Sequence, residues 1–122
     1  MRVLICGDRN WTAREPIRKY VATLNPAADV IIEGEARGAD SIAAQMGDRY
    51  GVPVHRYPAL WNRYGRAAGP MRNRQMLIEG KPDLVVAFHA DIVHSKGTRN
   101  MVEIARKAGV RVRVVTGQKE TD

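Results

Sequence analysis

The chain of 122 residues is long enough for one globular domain and too short for two, and 44% of its residues are hydrophobic. No apolar run approaches the roughly 20 residues of a membrane-spanning helix, and the N-terminus turns polar too early for a signal peptide, so we expect a cytoplasmic protein. The net charge of +7 favours an anionic partner, namely a nucleotide, a nucleic acid or an acidic protein.

The chain has one cysteine, Cys6, which excludes an internal disulfide and is typical of a reducing compartment. Because Cys6 lies in the apolar run "VLIC", we expect a small buried side chain rather than a nucleophile. The cysteine content therefore argues against a disulfide-stabilised secreted domain.

Short apolar runs alternate with segments of helical periodicity, which is typical of β-α units packed around a mostly parallel sheet. The predicted strands cover residues 2–6, 29–33, 52–57, 83–88 and 110–115. The first, second and fourth runs are continuously apolar, as central strands are. The third contains a proline and the fifth alternates valine with arginine, so both are predicted at the edges of the sheet.

The first two predicted helices follow strands one and two. The first opens with Thr12 and Glu15 at the spacing of a capping box and ends before Pro26. The second covers residues 40–50 and stops at Gly51. The apolar face of the first helix is formed by Ile17, Tyr20, Val21 and Leu24.

The other two predicted helices follow strands three and four. One begins at Gly69 and Pro70, where proline suits the first helical position, and ends near Gly80. The other lies in "HSKGTRNMVEIARKAG", residues 94–109, and ends at Gly109. Its apolar side is formed by Met101, Ile104, Ala105 and Ala108.

Right-handed crossovers and the two edge strands predict the strand order 3-2-1-4-5 in an α/β sandwich of three layers. The domain is expected to cover residues 1–116, followed by a polar tail at 117–122. Ligands of such sheets bind where the strand order reverses, beyond the carboxyl ends of the strands. The loops that meet at this point are "GDRNW" after strand one and "HADIVHSKGT" after strand four.

The second of these loops leads into the last predicted helix through Ser95, Gly97 and Thr98. Unpaired backbone N–H groups, a hydroxyl and the positive end of the helix dipole suit a phosphate group there. Alternatively, Ser95 or Thr98 simply caps the helix. The position at the reversal of strand order favours anion binding.

The first loop, "GDRNW", offers several groups to a ligand. Gly7 allows close approach to the backbone, and Arg9 can meet a phosphate or a carboxylate. Asp8 can accept a hydrogen bond from a ribose or act as a general base. Trp11 either stacks on a base or folds onto the core.

After strand two, "EGEARGAD" places Gly34 and Gly38 on either side of a short loop and Asp40 near the next helix start. The stretch is neither a dinucleotide-binding GxGxxG motif nor a P-loop, because its spacing differs and the Lys-Ser/Thr ending is missing. We expect Asp40 to be the N-cap of the helix. The small residues Gly38 and Ala39 would let a ligand approach the backbone closely.

Residues 49–78 contain no acidic residue, and aromatic residues lie between their arginines. These are Arg49, Arg56, Arg63, Arg66, Arg72 and Arg74, with Tyr57, Trp61 and Tyr64 among them. Such a segment can hold a phosphate backbone and stack on bases, cover a single nucleotide, or form a dimer surface. Within it, residues 58–67, "PALWNRYGRA", show no helix or strand period and are predicted to form a functional loop.

His89, Asp91 and His94 lie close together after strand four. Two histidines in a loop without a third strong ligand are a weak basis for a metal site. No metal is therefore assigned, and no cofactor is identified from the sequence.

The stretches "GDRNW", "EGEARGAD", "PALWNRYGRAAGPMRNRQML" and "HSKGTRNMVEIA" resemble, in order and spacing, the YspA/YpsA-related branch of the SLOG superfamily. These are small Rossmann-like proteins of bacteria and phages, similar to the LOG ("lysine decarboxylase-like") proteins and to the DNA-processing protein DprA. The resemblance implies a pocket for a nucleotide or nucleotide derivative, with the Gly-Thr turn holding phosphate. A phage origin would imply the host cytoplasm, and the LOG relatives imply a homodimer or a higher homo-oligomer.

LOG proteins are phosphoribohydrolases that use an arginine and a glutamate, and this chain departs from that pattern at the glutamate. Met101 stands at its position, three residues after the Gly-Thr pair. Glu103 lies about 200° around a helix from there and should point away from the pocket. Hydrolysis would then need a carboxylate from Asp8, Glu33 or Asp40.

The catalytic arginine is ambiguous, since Arg74 has the LOG-like spacing from Met71 whereas Arg72 stands beside Asn73 in "GPMRN". Asp8, Arg72 and Arg74 are therefore the candidates for catalysis. Trp11 or Trp61 is expected to stack on a base. The predicted nucleotide- and phosphate-binding residues are Gly7, Asp8, Arg9, Trp11, Gly34, Gly38, Ala39, Asp40, Arg72, Asn73, Arg74, Ser95, Gly97 and Thr98.

Three functions are open at this point. A binding or sensing module would take a nucleotide or a derivative, such as an ADP-ribose-like or signalling nucleotide. A hydrolase would cut the N-glycosidic bond or a phosphoryl bond of a nucleotide. A DprA-like protein would bind single-stranded nucleic acid through the arginine-rich segment. The missing glutamate favours the binding module.

Overall fold

The computed structural model describes residues 1–117, and residues 118–122 of the predicted polar tail lie outside the described part of the chain. The strands are β1 (Arg2–Gly7), β2 (Val30–Glu33), β3 (Val54–Arg56), β4 (Leu84–Phe88) and β5 (Arg111–Val115). The helices are α1 (Arg14–Ala22), α2 (Ala39–Tyr50), α3 (Trp61–Tyr64), α4 (Ala68–Gly80) and α5 (Gly97–Lys107). Two 3-10 turns occupy Gly65–Ala67 and Ile92–His94.

The strands form one parallel sheet in the order β3-β2-β1-β4-β5, which confirms the predicted order. β1 and β4 pair from Val3 and Leu84 to Gly7 and Phe88, so their carboxyl ends lie side by side. Both strands are continuously apolar because helices cover both of their faces. β3 and β5 lie at the edges, as the proline and the Val-Arg alternation predicted.

Successive residues of β1 point to opposite faces of the sheet and divide the core into two layers. Val3 and Ile5 belong to the layer that the residues of α1 and α2 complete. Leu4 and Cys6 belong to the layer formed with α4 and α5. Burial raises the pKa of the Cys6 thiol, as expected for a packed side chain. The result is the three-layer Rossmann-like sandwich that the sequence predicted.

Two helix starts differ from the prediction. Ala13 and not Thr12 occupies the N-cap position of α1, so the helix begins two residues after Thr12. α4 begins at Ala68, two residues ahead of Pro70. Proline is tolerated at this position because the backbone N–H groups of the first helical turn have no helical partner. At the other end of the chain, Ala108 is exposed just beyond α5 and does not extend its buried side.

The prediction that residues 58–67 lack regular structure is wrong. Trp61–Tyr64 form the single helical turn α3, and Gly65–Ala67 continue it as a 3-10 turn. None of these residues is buried, so the segment has no apolar stripe from which periodicity could be read.

In the part of the chain that the structure describes, no helix combines the length and the apolar character that crossing a membrane requires.

Candidate functional site

The loops at the carboxyl ends of β1, β2 and β4 enclose a cleft of about 970 Å³ together with α3, α4 and the start of α5. The cleft lies where the strand order reverses between β1 and β4. Predicted ligand-binding residues that line it are Gly7, Asp8, Arg9, Gly34, Asp40, Arg72, Asn73, Ser95, Gly97 and Thr98.

The β1–α1 loop forms one wall of the cleft and is fixed to the end of β4. The backbone N–H of Asp8 donates to the carbonyl oxygen of Phe88 at 2.9 Å. A Cβ at Gly7 would clash with that carbonyl and lie 2.8 Å from the Cβ of Ala39. Glycine at position 7 is thus required by the packing of the chain on itself. The Asp8 carboxylate accepts from the backbone N–H of Asn10 at 2.8 Å and lies 4.0 Å from His89 Nε2.

Asp40 braces the β2–α2 loop and is not the N-cap of α2. Gly38 occupies the N-cap position, and Asp40 lies inside the first helical turn. Its Oδ2 accepts from the backbone N–H of Gly34 at 3.1 Å and of Ala36 at 3.4 Å. Burial raises the pKa of Asp40 to about 6, although the nearby Arg72 guanidinium opposes the shift.

Gly38 and Ala39 pack the β2–α2 loop against the β1–α1 loop. Gly38 has a φ of 74°, and a Cβ there would clash with the carbonyl oxygen of Asp8. The backbone N–H of Ala39 donates to the same oxygen at 3.1 Å. Neither residue belongs to the cleft lining formed by residues 1–117, which corrects the prediction for both.

Trp11 lies in the core and is not available to stack on a base. Its side chain is 2% exposed and packs edge to face against Phe88, with ring centroids 5.7 Å apart. Its indole N–H donates to the carbonyl oxygen of Ala13 at 2.7 Å. Of the two tryptophans, it is Trp61 that lines the cleft.

The structure distinguishes Arg72 from Arg74. Arg72 lines the cleft, donates through Nη1 to the carbonyl oxygen of Gly34, and donates through Nε to Asn73 Oδ1 at 3.0 Å. Arg74 is exposed on α4 and does not belong to the cleft lining. Of the two arginines considered on α4, the one at the "GPMRN" position lines the cleft, and the choice of Arg74 as a site residue is corrected.

Asn73 joins α4 to the first turn of α5. It is buried, and its Nδ2 donates to the carbonyl oxygen of Gly97 at 3.1 Å and to Asn100 Oδ1 at 3.0 Å. The bond from Arg72 occupies its remaining oxygen. Asn73 thereby sets the position of the helix start that faces the cleft.

The start of α5 has a side-chain hydrogen bond to a first-turn N–H and open space around Gly97. Lys96 occupies the N-cap position, and Ser95 just before it caps a first-turn N–H, because its Oγ accepts from the backbone N–H of Thr98 at 3.1 Å. The same hydroxyl keeps a proton that it can donate to a ligand. Lys96 is exposed, and a Cβ at Gly97 would meet no described heavy atom within 4 Å. Capping and anion binding are therefore compatible at this turn.

The carboxylates considered for hydrolysis are placed differently. Met101 is buried and lines the cleft, whereas Glu103 is exposed and lies 2.9 Å from Arg99, as the helix geometry predicted. Glu33 is fully buried and faces a neighbouring groove instead of the cleft. Burial raises the pKa of Glu33 to about 7, although its Oε1 accepts from the backbone N–H of Glu35 at 2.8 Å. Glu33 is thus not placed to act in the cleft.

Several cleft residues were missed in the prediction, although each stands within or beside a motif that was singled out. Five cations outweigh three carboxylates in the lining, so the cleft favours an anion. The cations are Arg9, Arg37, Arg66, Arg72 and Lys96, and the carboxylates are Asp8, Glu35 and Asp40. The missed residues Arg37 and Lys96 carried a signal only as basic side chains beside the glycine turns, whereas Arg66 had been named in the arginine-rich segment.

The two histidines considered for a metal site differ in exposure, and both contact Asp91. His89 lines the cleft near Asp8 and its Nδ1 accepts from the backbone N–H of Asp91 at 2.9 Å, whereas His94 is exposed and lies 2.7 Å from the Asp91 carboxylate. Within residues 1–117, no group of three or more His, Cys, Asp or Glu side chains is placed to hold a metal ion.

Comparison with known proteins identifies the family. Residues 1–64 match the YspA, cpYpsA-related SLOG family. The chain is also 34% identical over 119 residues to the Gene 61 protein of Mycobacterium phage D29, covering 91% of this chain and 93% of that protein. The chain belongs to the YspA, cpYpsA-related SLOG family.

This SLOG chain also shares its fold with a larger protein of known structure. It superimposes on the X-ray structure of DNA processing protein A (DprA) from Streptococcus pneumoniae with a TM-score of 0.77 and 19% sequence identity. The match covers 99% of this chain and 52% of the DprA chain, so the SLOG chain spans about half the length of DprA. At this identity the likeness establishes the Rossmann-like fold alone.

Proposed function

We propose that this SLOG protein binds a nucleotide or nucleotide derivative in the cleft, with a phosphate group at the start of α5. The observation that carries the proposal is the placement of that helix start in a cleft whose lining has more cations than carboxylates. The positive end of the helix dipole and the side chains of Ser95 and Lys96 would act on the same phosphate. Arg72 and Asn73 hold the surrounding loops in place.

Binding without turnover is the function that the geometry supports best. The position of the LOG glutamate carries the apolar side chain of Met101, which can neither activate water nor stabilise an oxocarbenium-like centre. Asp40 lines the cleft, but its Oδ2 is already engaged with the loop backbone. Asp8 is the remaining predicted carboxylate at the cleft. We therefore expect a sensing or binding module.

Calorimetry with AMP, ATP and ADP-ribose tests the proposal. We expect at least one of them to bind, and K96A to weaken its binding about tenfold through loss of a charge-assisted contact. K107A removes a lysine from the opposite end of α5 and should leave the affinity unchanged. Absence of binding for all three ligands, or equal effects of the two lysine variants, would contradict the proposal.

Chromatography of the same mixtures tests the hydrolase alternative. We expect AMP to be recovered intact after prolonged incubation, with no free adenine. Release of adenine that disappears in D8N would show instead that Asp8 supports N-glycosidic cleavage.

A second candidate function is binding of single-stranded nucleic acid through α3, which one feature of the structure favours. Trp61, Arg63 and Tyr64 are all exposed on this short helix, and the Arg63 guanidinium lies 5.2 Å from the Tyr64 ring centroid. Exposed aromatic and basic side chains of this kind stack on bases and neutralise phosphates. The DNA-processing name of DprA is consistent with such a role.

Retention of a single-stranded oligonucleotide at low salt tests this second function. Binding should weaken steeply as the salt concentration rises, because phosphate contacts release counterions. R63A should lower both the affinity and the salt dependence. Failure to retain the oligonucleotide at low salt would exclude this function.

A further inference from the structure

Trp61 is a half-exposed aromatic side chain at the edge of the cleft. It is the first residue of α3, is 49% exposed and lines the cleft beside Pro58 and Ala59. Its ring packs against α4 at Gly69, where a Cβ would lie 3.0 Å from Trp61 Cη2. An aromatic ring that is supported by backbone and open to a cleft has the properties of a stacking platform.

The cleft-facing side of α4 contacts both Trp61 and the start of α5. Gly69, Arg72, Asn73 and Met76 all line the cleft, at the i, i+3, i+4 and i+7 positions of one helix face. Gly69 contacts Trp61, and Asn73 contacts Gly97 and Asn100. Positions 69 and 73 are four residues apart, which corresponds to about 6 Å along the helix axis. Trp61 and the start of α5 therefore contact α4 about one helical turn apart on the same cleft-facing side of the helix.

We infer that Trp61 stacks on the base of the bound ligand, so that the cleft selects nucleoside phosphates over sugar phosphates and inorganic phosphates. The inference rests on the proposed function and adds to it a second recognition element, the base. The phosphate lies at Ser95, Lys96 and Gly97, the ribose passes along α4, and the base covers the exposed face of Trp61. The charged groups provide affinity for any phosphate, and Trp61 discriminates in favour of an aromatic base.

Tryptophan fluorescence can report the binding of a base to Trp61. Of the two tryptophans in the chain, Trp11 is buried in the core and Trp61 is at the cleft. Stacking of a base on Trp61 should quench its fluorescence, whereas Trp11 emission should not respond to a ligand.

The experiment compares the four common nucleoside 5′-monophosphates with ribose 5-phosphate, by calorimetry and by tryptophan fluorescence. In the wild type we expect the best monophosphate to bind about tenfold more tightly than ribose 5-phosphate and to quench the emission. W61A should remove this preference and the quenching while leaving the affinity for ribose 5-phosphate unchanged. W61F should retain part of the preference.

L60A is the matched control, because Leu60 is an exposed neighbour of Trp61 that does not belong to the cleft lining. It should behave like the wild type. Equal binding of monophosphates and ribose 5-phosphate by the wild type, or an unchanged preference in W61A, would overturn the Trp61 assignment and leave the proposed phosphate site intact. If neither class of probe binds the wild type, the Trp61 assignment fails, and the separate calorimetry with ATP and ADP-ribose decides whether the proposed function fails with it.

Discussion

The side-chain amide of Asn73 donates to the carbonyl oxygen of Gly97 at 3.1 Å and so connects the middle of α4 to the first residue of α5. The two helices follow different strands and meet at the cleft. One buried side chain therefore determines where the proposed phosphate-binding helix start lies relative to the rest of the cleft.

The variant N73A tests this connection. Loss of the amide removes two hydrogen bonds that a buried side chain makes to Gly97 and Asn100, which should lower the free energy of unfolding by about 1–3 kcal/mol. Urea denaturation measures the change. N62A removes an exposed asparagine of α3 and should change the stability by less than about 0.5 kcal/mol. Equal stability of N73A and the wild type would show that the contact between the helices is dispensable.

Arg72 and Arg74 should differ in their effect on stability, although they are the same residue type on the same helix. R72A removes the donor to the buried carbonyl of Gly34 and to Asn73, and we expect a loss of about 1–3 kcal/mol. R74A removes an exposed side chain outside the cleft and should change stability by less than about 0.5 kcal/mol. Thermal and urea unfolding of both variants checks this difference, and a larger loss in R74A would contradict it.

Two glycines of the cleft should respond in opposite ways to substitution by alanine. G7A places a Cβ against the carbonyl oxygen of Phe88 in the paired strands β1 and β4, so we expect a protein that is severely destabilised or unfolded. G97A places its Cβ in open space at the start of a helix and should keep the stability or raise it by up to about 1 kcal/mol. If G97A folds normally but loses phosphate affinity, the glycine serves ligand approach.

The buried carboxyl group of Glu33 should make stability depend on pH. Its pKa is raised from 4.5 to about 7 by burial, so the folded protein holds this proton more tightly than the unfolded chain does. The stabilisation is complete below pH 4.5 and is lost as the pH rises through about 7, by up to about 3 kcal/mol. Asp40, with its pKa raised to about 6, acts in the same direction.

The variant E33Q isolates the contribution of Glu33. A neutral amide keeps an acceptor for the backbone N–H of Glu35, so E33Q should be more stable than the wild type at pH 8 and similar to it at pH 5. Urea denaturation at pH 5, 6, 7 and 8 measures the difference between the two proteins. E79Q, which changes an exposed carboxylate of α4, serves as the control. A difference between E33Q and the wild type that does not vary with pH would refute the prediction.

The sequence by itself determined the sheet and the place of the cleft. Continuous apolar runs marked β1, β2 and β4 as central strands, and the proline and arginines of the other two marked edges. From that order alone, the loops "GDRNW" and "HADIVHSKGT" had to meet at the carboxyl end of the sheet. The resemblance to LOG proteins implied that Met101 lies at the cleft, and helix geometry then placed Glu103 away from it, because 3.6 residues per turn fixes relative directions within one helix.

Only the tertiary structure decided between residues of the same type. The prediction could not choose between Trp11 and Trp61, or between Arg72 and Arg74, because the choice depends on which side chain the neighbouring elements bury. The packing of the β2–α2 loop against the β1–α1 loop likewise left Gly38 and Ala39 outside the cleft lining. Local patterns report which elements form and which face they bury, whereas the partner of each side chain depends on contacts between segments far apart in the chain.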